Sequence, residues 1–321
     1  MGVGRILSVS RPQILSSTSV IRRRPLQCLV WLLFFILYIH YISRRPSLEL
    51  TAPQKPPPLD DIPTKIWQVF FNYTSIDPYT DSMQTWIAKC QDYQYTLVSS
   101  VGANAFALKH YANRREILYP FFSLRNPVLR SHLFRYMLLE SEGGIYSDLD
   151  IAALKPAKEW IPPHLKSRVR AIVGIEYDHG AGEASPGVDR PRLQFCQWTI
   201  AASRGHPLMS RVVADTVDAL RALAIDNDTM VAEPRSSDEE VMRFNGQGVW
   251  TRAVLKTLSE ATGTEVGWRN LTGMRESRVF GDVMVLPVGA FGMAPMGRMR
   301  EGRGRDGEAQ ALVRRVEQMT D

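Results

Sequence analysis

The stretch 126–156, NPVLRSHLFRYMLLESEGGIYSDLDIAALKP, decides the predicted fold of this chain. Pro127 suits the first turn of a helix, and the glycine pair 143–144 is typical of a helix end. The apolar residues between them recur at helical spacing. Residues 145–147 (IYS) then predict a short strand that leads directly into residues 148–150 (DLD). The stretch therefore predicts a helix followed by a strand, with two carboxylates where the strand ends.

Asp148 and Asp150 are the candidate metal ligands. In extended backbone, residues two positions apart point to the same side. Carboxylate oxygens suit Mn²⁺ or Mg²⁺, and open α/β sheets bind ligands at the carboxyl ends of their strands. A D-x-D tripeptide alone is weak evidence for a metal site. Its position after two glycines and at a strand end is what favours a divalent-cation site that neutralises phosphates.

The rest of the chain predicts an α/β fold. Its globular part opens with a strand, a helix and a strand, which favours a parallel sheet. We predict strands at 62–70, 93–98, 145–147, 171–176, 196–202 and 283–288, and helices at 83–90, 127–142, 207–223 and 248–259.

Residues 26–42 (LQCLVWLLFFILYIHYI) contain no charged residue. A run of this length lies at the lower limit for crossing a bilayer, where roughly 20 residues are typical. A core helix is rarely apolar all round, and a cleavage site would need small residues after the run, so a membrane anchor is favoured over both alternatives. The surplus of arginines before the run places residues 1–25 in the cytosol and the bulk of the chain in the lumen.

The remaining segments follow from composition. Residues 43–61 are rich in proline and predict an extended stem, and 62–296 form the globular domain. Residues 297–321 are rich in arginine and glycine, and we expect a poorly ordered tail there. The net charge is +6, but the arginines concentrate at the two ends, so no nucleic-acid surface is predicted.

Two features agree with a luminal domain. Asn72, Asn227 and Asn270 each begin an N-x-S/T sequon and are candidate N-glycosylation sites. Cys90 and Cys196 lie outside the apolar run. They could form one disulfide in an oxidising compartment or remain two buried free thiols, and the sequence leaves both alternatives open.

Residues 126–156 resemble the core of glycosyltransferase family 32, the group with a sugar-binding region that contains a DXD motif. The opening PTKIWQVF, residues 63–70, resembles the first strand of that family. Segments at 197–202, 246–251 and 281–287 resemble its fungal initiation-specific α-1,6-mannosyltransferase branch, so that the resemblance covers about residues 62–292. It implies a GT-A-type nucleotide-sugar-binding fold with a mixed, mostly parallel central sheet, preceded here by a single transmembrane helix.

The same resemblance implies roles for the residues of the D-x-D block. Asp150 resembles the direct metal ligand, and Asp148 resembles a second ligand or a ribose contact. Arg135 and Tyr136 match an Arg-Tyr pair of the family whose arginine faces the donor. His132 stands where the family usually carries an aspartate. We expect His132, Arg135, Tyr136 and Asp148 to bind the donor.

Three further residues complete the predicted site. Gly144 is expected to let the donor approach the backbone closely. Asp282 and Glu176, at predicted strand ends, are expected to orient hydroxyls of the sugar or the acceptor. Ordinary capping or surface carboxylates are the alternative for both.

The function implied is a retaining, Mn²⁺-dependent (or Mg²⁺-dependent) transfer of a hexose from a nucleotide sugar, with GDP-mannose as the donor and a glycan as the acceptor. The protein is expected to be a type II single-pass Golgi membrane protein with a luminal catalytic domain. It could be part of a hetero-oligomeric glycosyltransferase complex. A mannosyltransferase acting on a glycolipid such as inositol phosphoceramide is one alternative. A catalytically weak subunit of a mannan polymerase complex is the other.

Overall fold

A computed structural model describes residues 31–37, 60–71, 75–180, 192–226, 246–291 and 311–316. The chain divides into two compact units, residues 1–57 and 58–321. In the first unit, residues 31–37 of the expected anchor are helical with exposed apolar side chains. No helix within the described residues has the length and apolarity to cross a bilayer. The rest of the run 26–42 lies outside the described residues.

The second unit is built on one large sheet. Its strands lie in the order β2-β1-β3-β7-β5-β9-β8, with β6 paired to β5. β1, β2, β3, β5 and β9 run in one direction, and β6, β7 and β8 run in the other. A separate antiparallel pair joins β4 to β10. The bounds are β1 Lys65–Phe70, β2 Gln94–Ser99, β3 Gly144–Ser147, β4 Ile151–Ala153, β5 Ala171–Asp178, β6 Leu193–Phe195, β7 Thr199–Ala202, β8 Arg278–Phe280, β9 Val283–Leu286 and β10 Val313–Arg315.

Seven α-helices accompany the sheet within the described residues. They are α1 Thr80–Lys89, α2 Ser100–Tyr111, α3 Arg115–Ser123, α4 Pro127–Glu142, α5 Pro207–Asp226, α6 Gln247–Thr262 and α7 Trp268–Leu271. The mixed α/β fold predicted from the sequence is confirmed, but three of the seven strand pairings in the large sheet are parallel and four are antiparallel, so the prediction of a mostly parallel sheet is wrong. Helices α2, α3 and α7 and strands β4, β6, β8 and β10 were not predicted.

The alternation of side chains along the strands divides the core into two clusters, one on each face of the sheet. In β1, Trp67 and Val69 belong to the cluster that packs against α2 to α6. Ile66, which precedes Trp67, belongs to the other cluster, with Trp86 of α1 and Val313 of β10. The helices therefore cover one face, and α1 with the β4–β10 pair covers the other.

Helix α4 lies at the centre of the larger cluster. The side chain of Asn126 caps its amino end by accepting hydrogen bonds from the backbone N–H groups of Val128 and Leu129, at 2.9 and 3.2 Å. Pro127 occupies the first turn, where no N–H is needed. The helix ends at Glu142, before Gly143 with φ +63°. The boundaries predicted from the sequence are thus confirmed for this helix.

The structure bears on the predictions for the carboxyl-terminal segment and for the two thiols. Residues 311–316 belong to the fold, because β10 pairs with β4 and Val313 is fully buried. The expectation of a poorly packed tail is therefore wrong for this segment. Cys90 and Cys196 are both buried free thiols, so the structure takes the second of the two alternatives.

Candidate functional site

The D-x-D block lies where β3 ends. The backbone N–H of Asp148 donates to the carbonyl of Trp198 at 2.8 Å, which extends the pairing of β3 with the chain that enters β7. The side chain of Gln68, at the neighbouring β1, donates to the carbonyl of Asp148 at 2.9 Å. The peptide of Asp148 is thereby held from both sides. The carboxylates of Asp148 and Asp150 remain partly exposed, at 26% and 29% of their side-chain surface.

Helix α1 fixes the turn that separates the two carboxylates. The hydroxyl of Ser82 donates to the carbonyl of Leu149, and the indole N–H of Trp86 donates to the carbonyl of Ile151 at 2.8 Å. Both donors are buried, so each carbonyl accepts its hydrogen bond away from water. The positions of Asp148 and Asp150 relative to each other therefore depend on the packing of α1.

Arg135 connects α4 to the carboxylate of Asp148. Its guanidinium is buried, donates to the carbonyl of Gln197 at 2.8 Å and lies 3.4 Å from Asp148 Oδ1. It also stacks on the ring of Tyr146, whose hydroxyl donates to the same carboxylate oxygen at 2.6 Å. Burial lowers the pKa of Arg135, but the charge of Asp148 and smaller contributions from neighbouring tyrosine and cysteine side chains together outweigh burial, so the pKa lies above its ordinary value. Arg135 is therefore a fixed cation beside the site.

Asp150 has one oxygen paired with a cation and one buried oxygen without a hydrogen-bond donor. Its Oδ2 lies 3.1 Å from Nε of Arg315. Its Oδ1 is buried and accepts no hydrogen bond from the described residues. Burial raises the pKa of Asp150, which the charge of Arg315 opposes. A buried carboxylate oxygen without a donor is a position that a cation satisfies.

Arg315 was not identified from the sequence as a site residue. It enters the site because β10 pairs with β4, which directly follows the D-x-D block, and this pairing sets Arg315 opposite Ile151. Its guanidinium lies over the ring of Trp198, 5.5 Å from the ring centre, and 4.0 Å from Asp148 Oδ2. No local sequence signal marks it, because it is one of several arginines near the carboxyl end.

Glu176, on β5, is the predicted sugar contact that the structure brings to the site. Its carboxylate accepts from the indole N–H of Trp198 at 3.4 Å. Burial raises the pKa of Glu176, and both Arg315 and Asp148 lie close enough to affect it. Glu176 therefore shares one site with the D-x-D block.

His132 and Tyr136 lie inside the fold on α4. Tyr136 is fully buried, stacks on Trp250 with ring centres 5.6 Å apart, and donates to the side-chain oxygen of Gln197 at 3.1 Å. This position favours a supporting role, in which Tyr136 holds Gln197, the residue whose carbonyl accepts from Arg135, over direct contact of Tyr136 with a donor. His132 is 7% exposed, one helical turn before Arg135.

Gly144 is not brought to the site, contrary to expectation. It begins β3, whereas Asp148 follows the other end of that strand. Its φ is +104°, and a Cβ at this position would lie 2.7 Å from the carbonyl oxygen of Lys65. Gly144 is needed because β1 and β3 approach closely there, not because a ligand does.

Asp282 is likewise not brought to the site. It precedes β9, after a turn at Gly281 with φ +62°, and β9 runs in the same direction as β3. Asp282 therefore lies at the amino-end edge of the sheet, opposite the D-x-D block. Its carboxylate lies 3.5 Å from Nε2 of His206, and the interaction with His206 is the chief cause that lowers the pKa of Asp282.

One predicted glycosylation site can be placed. Asn270 is exposed on α7, and its side-chain oxygen accepts from the backbone N–H of Gly267 at 2.9 Å, which leaves the amide nitrogen for modification. Asn72 and Asn227 lie outside the described residues.

The residues present fit a hard divalent cation. Asp148 and Asp150 supply oxygen ligands, and one of these oxygens is buried without a donor. No group of three or more His, Cys, Asp and Glu side chains in the part of the chain that the structure describes could form a protein-only metal cage. Mg²⁺ and Mn²⁺ sites with one or two carboxylates take their other ligands from water and from substrate phosphates.

Comparison with known proteins agrees with this geometry. Residues 78–166 match the family described as "Glycosyltransferase sugar-binding region containing DXD motif", and the match includes α4, β3 and both aspartates. The chain is similar to this family over that region. It is similar to two proteins named "Initiation-specific alpha-1,6-mannosyltransferase". The Schizosaccharomyces pombe protein is 32% identical over 81% of this chain, and the Candida albicans protein is 27% identical over 71%.

The chain spans 64% and 65% of the length of these two relatives. Among solved structures, the PaToxG glycosyltransferase is 15% identical and superposes with a TM-score of 0.40, over 64% of this chain and 73% of that one.

Proposed function

We propose that this protein is a hexosyltransferase that transfers mannose from GDP-mannose to a glycan, with retention of configuration, on a GT-A-type fold. The observation that carries the proposal is the pair of carboxylates of Asp148 and Asp150 at the carboxyl end of β3, flanked by Arg135 and Arg315. The names of the two fungal relatives support mannose as the sugar, and the glycan acceptor follows from the resemblance to that branch.

The donor site is proposed to combine a metal with fixed charges. A Mn²⁺ or Mg²⁺ ion held by Asp148 and Asp150 would act as a Lewis acid on the departing diphosphate. Arg135 holds the carboxylate of Asp148 in place, and the hydroxyl of Tyr146 restricts it further. His132 lies one helical turn before Arg135 and is proposed to face the donor in place of the aspartate that is usual in the family.

The transfer is proposed to occur by attack on the same face of the sugar from which the diphosphate departs. In such a reaction the leaving phosphate oxygen takes the proton of the acceptor hydroxyl, so no separate general base is needed. Glu176 is proposed to orient a sugar hydroxyl, because its partly exposed carboxylate lies near Trp198 and Arg315.

The protein is further proposed to be a type II Golgi membrane protein with its catalytic domain in the lumen. The support is the uncharged run 26–42, the surplus of arginines before it and the exposed sequon at Asn270. A hetero-oligomeric complex with other glycosyltransferases is compatible with this location.

The deciding experiment is an assay of donor hydrolysis by the purified full chain in detergent. We expect release of mannose from GDP-mannose that requires Mn²⁺, is faster than hydrolysis of UDP-sugars, and is lost in Asp150→Ala. Arg314→Gln is the matched control, because Arg314 is exposed on β10 and its loss should leave hydrolysis unchanged. Faster hydrolysis of a UDP-sugar would contradict the mannosyl assignment, and absence of both hydrolysis and nucleotide binding would contradict the enzyme itself.

A binding subunit with little catalysis is the second candidate function. It is favoured by His132, an imidazole at a buried position beside Arg135 where the family usually has a carboxylate. In the same assay this candidate predicts Mn²⁺-dependent binding of GDP-mannose without turnover. His132→Asp would then be expected to restore hydrolysis.

A further inference from the structure

Arg315 occupies a position that its backbone determines. It ends β10, opposite Ile151 of β4, and the next residue, Val316, donates its backbone N–H to the carbonyl of Asp150 at 2.7 Å. Val313, two residues earlier, is fully buried in the smaller core cluster. The segment is thus anchored on both sides of the guanidinium, which is held over the D-x-D block.

The guanidinium bridges the two carboxylates. Nε lies 3.1 Å from Asp150 Oδ2, and a terminal nitrogen lies 4.0 Å from Asp148 Oδ2. The Nε–H is buried and does not point well enough at any described acceptor to count as a hydrogen bond. The contact therefore rests on attraction between charges and on the ring of Trp198, without directional bonds that would resist displacement.

The positive charge of Arg315 takes the place that a metal ion would have beside the two carboxylates. Arg135 and Arg315 balance the charges of Asp148 and Asp150. A divalent cation on the same two carboxylates would face the charge of Arg315 a few ångströms away, which opposes its binding. A diphosphate changes this balance, because it adds negative charge and accepts hydrogen bonds from the planar fork of an arginine.

We propose that Arg315 is an internal counter-cation of the Asp148–Asp150 pair, that a divalent cation displaces it, and that the displaced guanidinium binds the diphosphate of the donor. The last step rests on the proposed function. Arg315 then makes metal binding and diphosphate binding mutually favourable: the cation alone competes with Arg315, whereas the cation and the diphosphate together give every charge a partner.

The test measures Mn²⁺ binding to the full chain in the absence of nucleotide, from the paramagnetic resonance signal of free Mn²⁺. Arg315→Gln is expected to bind Mn²⁺ about three- to tenfold more tightly than the wild type, because one repelling charge is removed from a partly exposed site. Arg314→Gln removes the same charge from the exposed side of the same strand and is expected to match the wild type.

The second measurement is calorimetric titration of GDP at saturating Mn²⁺. Arg315→Gln is expected to bind GDP at least about fivefold more weakly than the wild type, the opposite sign to its effect on Mn²⁺. Arg315→Lys keeps the charge without the fork, so it should bind Mn²⁺ like the wild type and GDP more weakly. This variant keeps the inference testable if Arg315→Gln does not fold.

The outcomes separate this inference from the proposed function. If wild type and Asp150→Ala bind Mn²⁺ equally, the D-x-D block is not a metal site and both proposals fail. If Asp150→Ala loses Mn²⁺ but Arg315→Gln binds it no more tightly than Arg314→Gln, the metal site stands and the counter-cation is refuted. Tighter Mn²⁺ binding with unchanged GDP binding would refute the transfer of Arg315 to the diphosphate.

Discussion

At the scale of single residues, Arg135 determines how the carboxylate of Asp148 is presented. It is a buried cation, and such a charge is tolerated only when it is paired and hydrogen-bonded. The carbonyl of Gln197 and the carboxylate of Asp148 supply these partners, and Tyr146 supplies a ring face. A lysine has no planar fork with which to reach both oxygens.

We predict that Arg135→Met lowers the free energy of unfolding by about 2–4 kcal/mol, because it leaves a carbonyl and a carboxylate without their buried partner. Urea unfolding followed by circular dichroism measures the change. The free energy of unfolding of Arg135→Lys, which keeps the charge, should lie between those of Arg135→Met and the wild type. Equal stability of Arg135→Met and the wild type would show that the pairing is not needed for the fold.

Asp282 provides a contrasting prediction, because its carboxylate stabilises the fold at the other edge of the sheet. Its contact with His206 lowers the pKa of Asp282, so the folded state favours the charged form. The resulting stability is present above the ordinary pKa of about 4 and is lost as the pH falls through the lowered value.

Asp282→Asn should therefore lower the melting temperature at pH 7, and the difference from the wild type should shrink below pH ~4. Hydrolysis of the donor should be unchanged at temperatures where both proteins are folded. Calorimetric melting at several pH values measures the first effect. Loss of hydrolysis in a folded Asp282→Asn variant would return Asp282 to the active site.

At the scale of elements, the junction of α4 and β3 positions the site. Gly143 and Gly144 both have positive φ, and a Cβ on either would lie closer than 3.0 Å to a backbone atom of a neighbouring segment. The chain can leave the buried helix and enter the central strand in two residues only because these side chains are absent. The register of β3, and with it the position of Asp148, follows from this turn.

We predict that Gly144→Ala destabilises the fold much more than Gly289→Ala. Both glycines have positive φ, at +104° and +95°, but a Cβ on Gly289 meets no atom within 4 Å. Gly289→Ala should cost about 1–3 kcal/mol of backbone strain. Gly144→Ala should cost at least about 2 kcal/mol more, since β1 must also move. Denaturant unfolding of both variants measures the difference, and equal losses would contradict the steric explanation.

At the scale of the whole molecule, the site joins segments that are far apart in the sequence. Gln68 of β1, Arg135 of α4 and Arg315 of β10 all contact the D-x-D block. The block also contacts α1 and the segment that precedes β7. A ligand that binds here therefore stabilises the arrangement of the sheet and not one loop.

GDP with Mn²⁺ should accordingly raise the melting temperature of the whole domain. At concentrations a hundredfold above the dissociation constant, the stabilisation is about 2.7 kcal/mol, or roughly 5–10 °C for a domain of this size. Differential scanning calorimetry with and without a chelator measures it. The shift should be absent in Asp150→Ala, and an equal shift in that variant would place the ligand elsewhere.

Much of the site could be predicted because its signals are local in the sequence. The cap at Asn126, the proline after it and the two glycines delimit α4 by backbone sterics that involve neighbouring residues only. The same short stretch places Asp148 at the end of β3, and its resemblance to a known family indicates what the two carboxylates are for.

The tertiary structure decided what depends on strand order and direction. Asp282 and Glu176 both lie near strand ends, and only the direction and pairing of β9 and β5 put them at opposite edges of the sheet. Arg315 reaches Asp150 through the pairing of β10 with β4, two segments separated by most of the domain. Such pairing results from burial of a shared core, here around Val313, and no pattern within either segment predicts it.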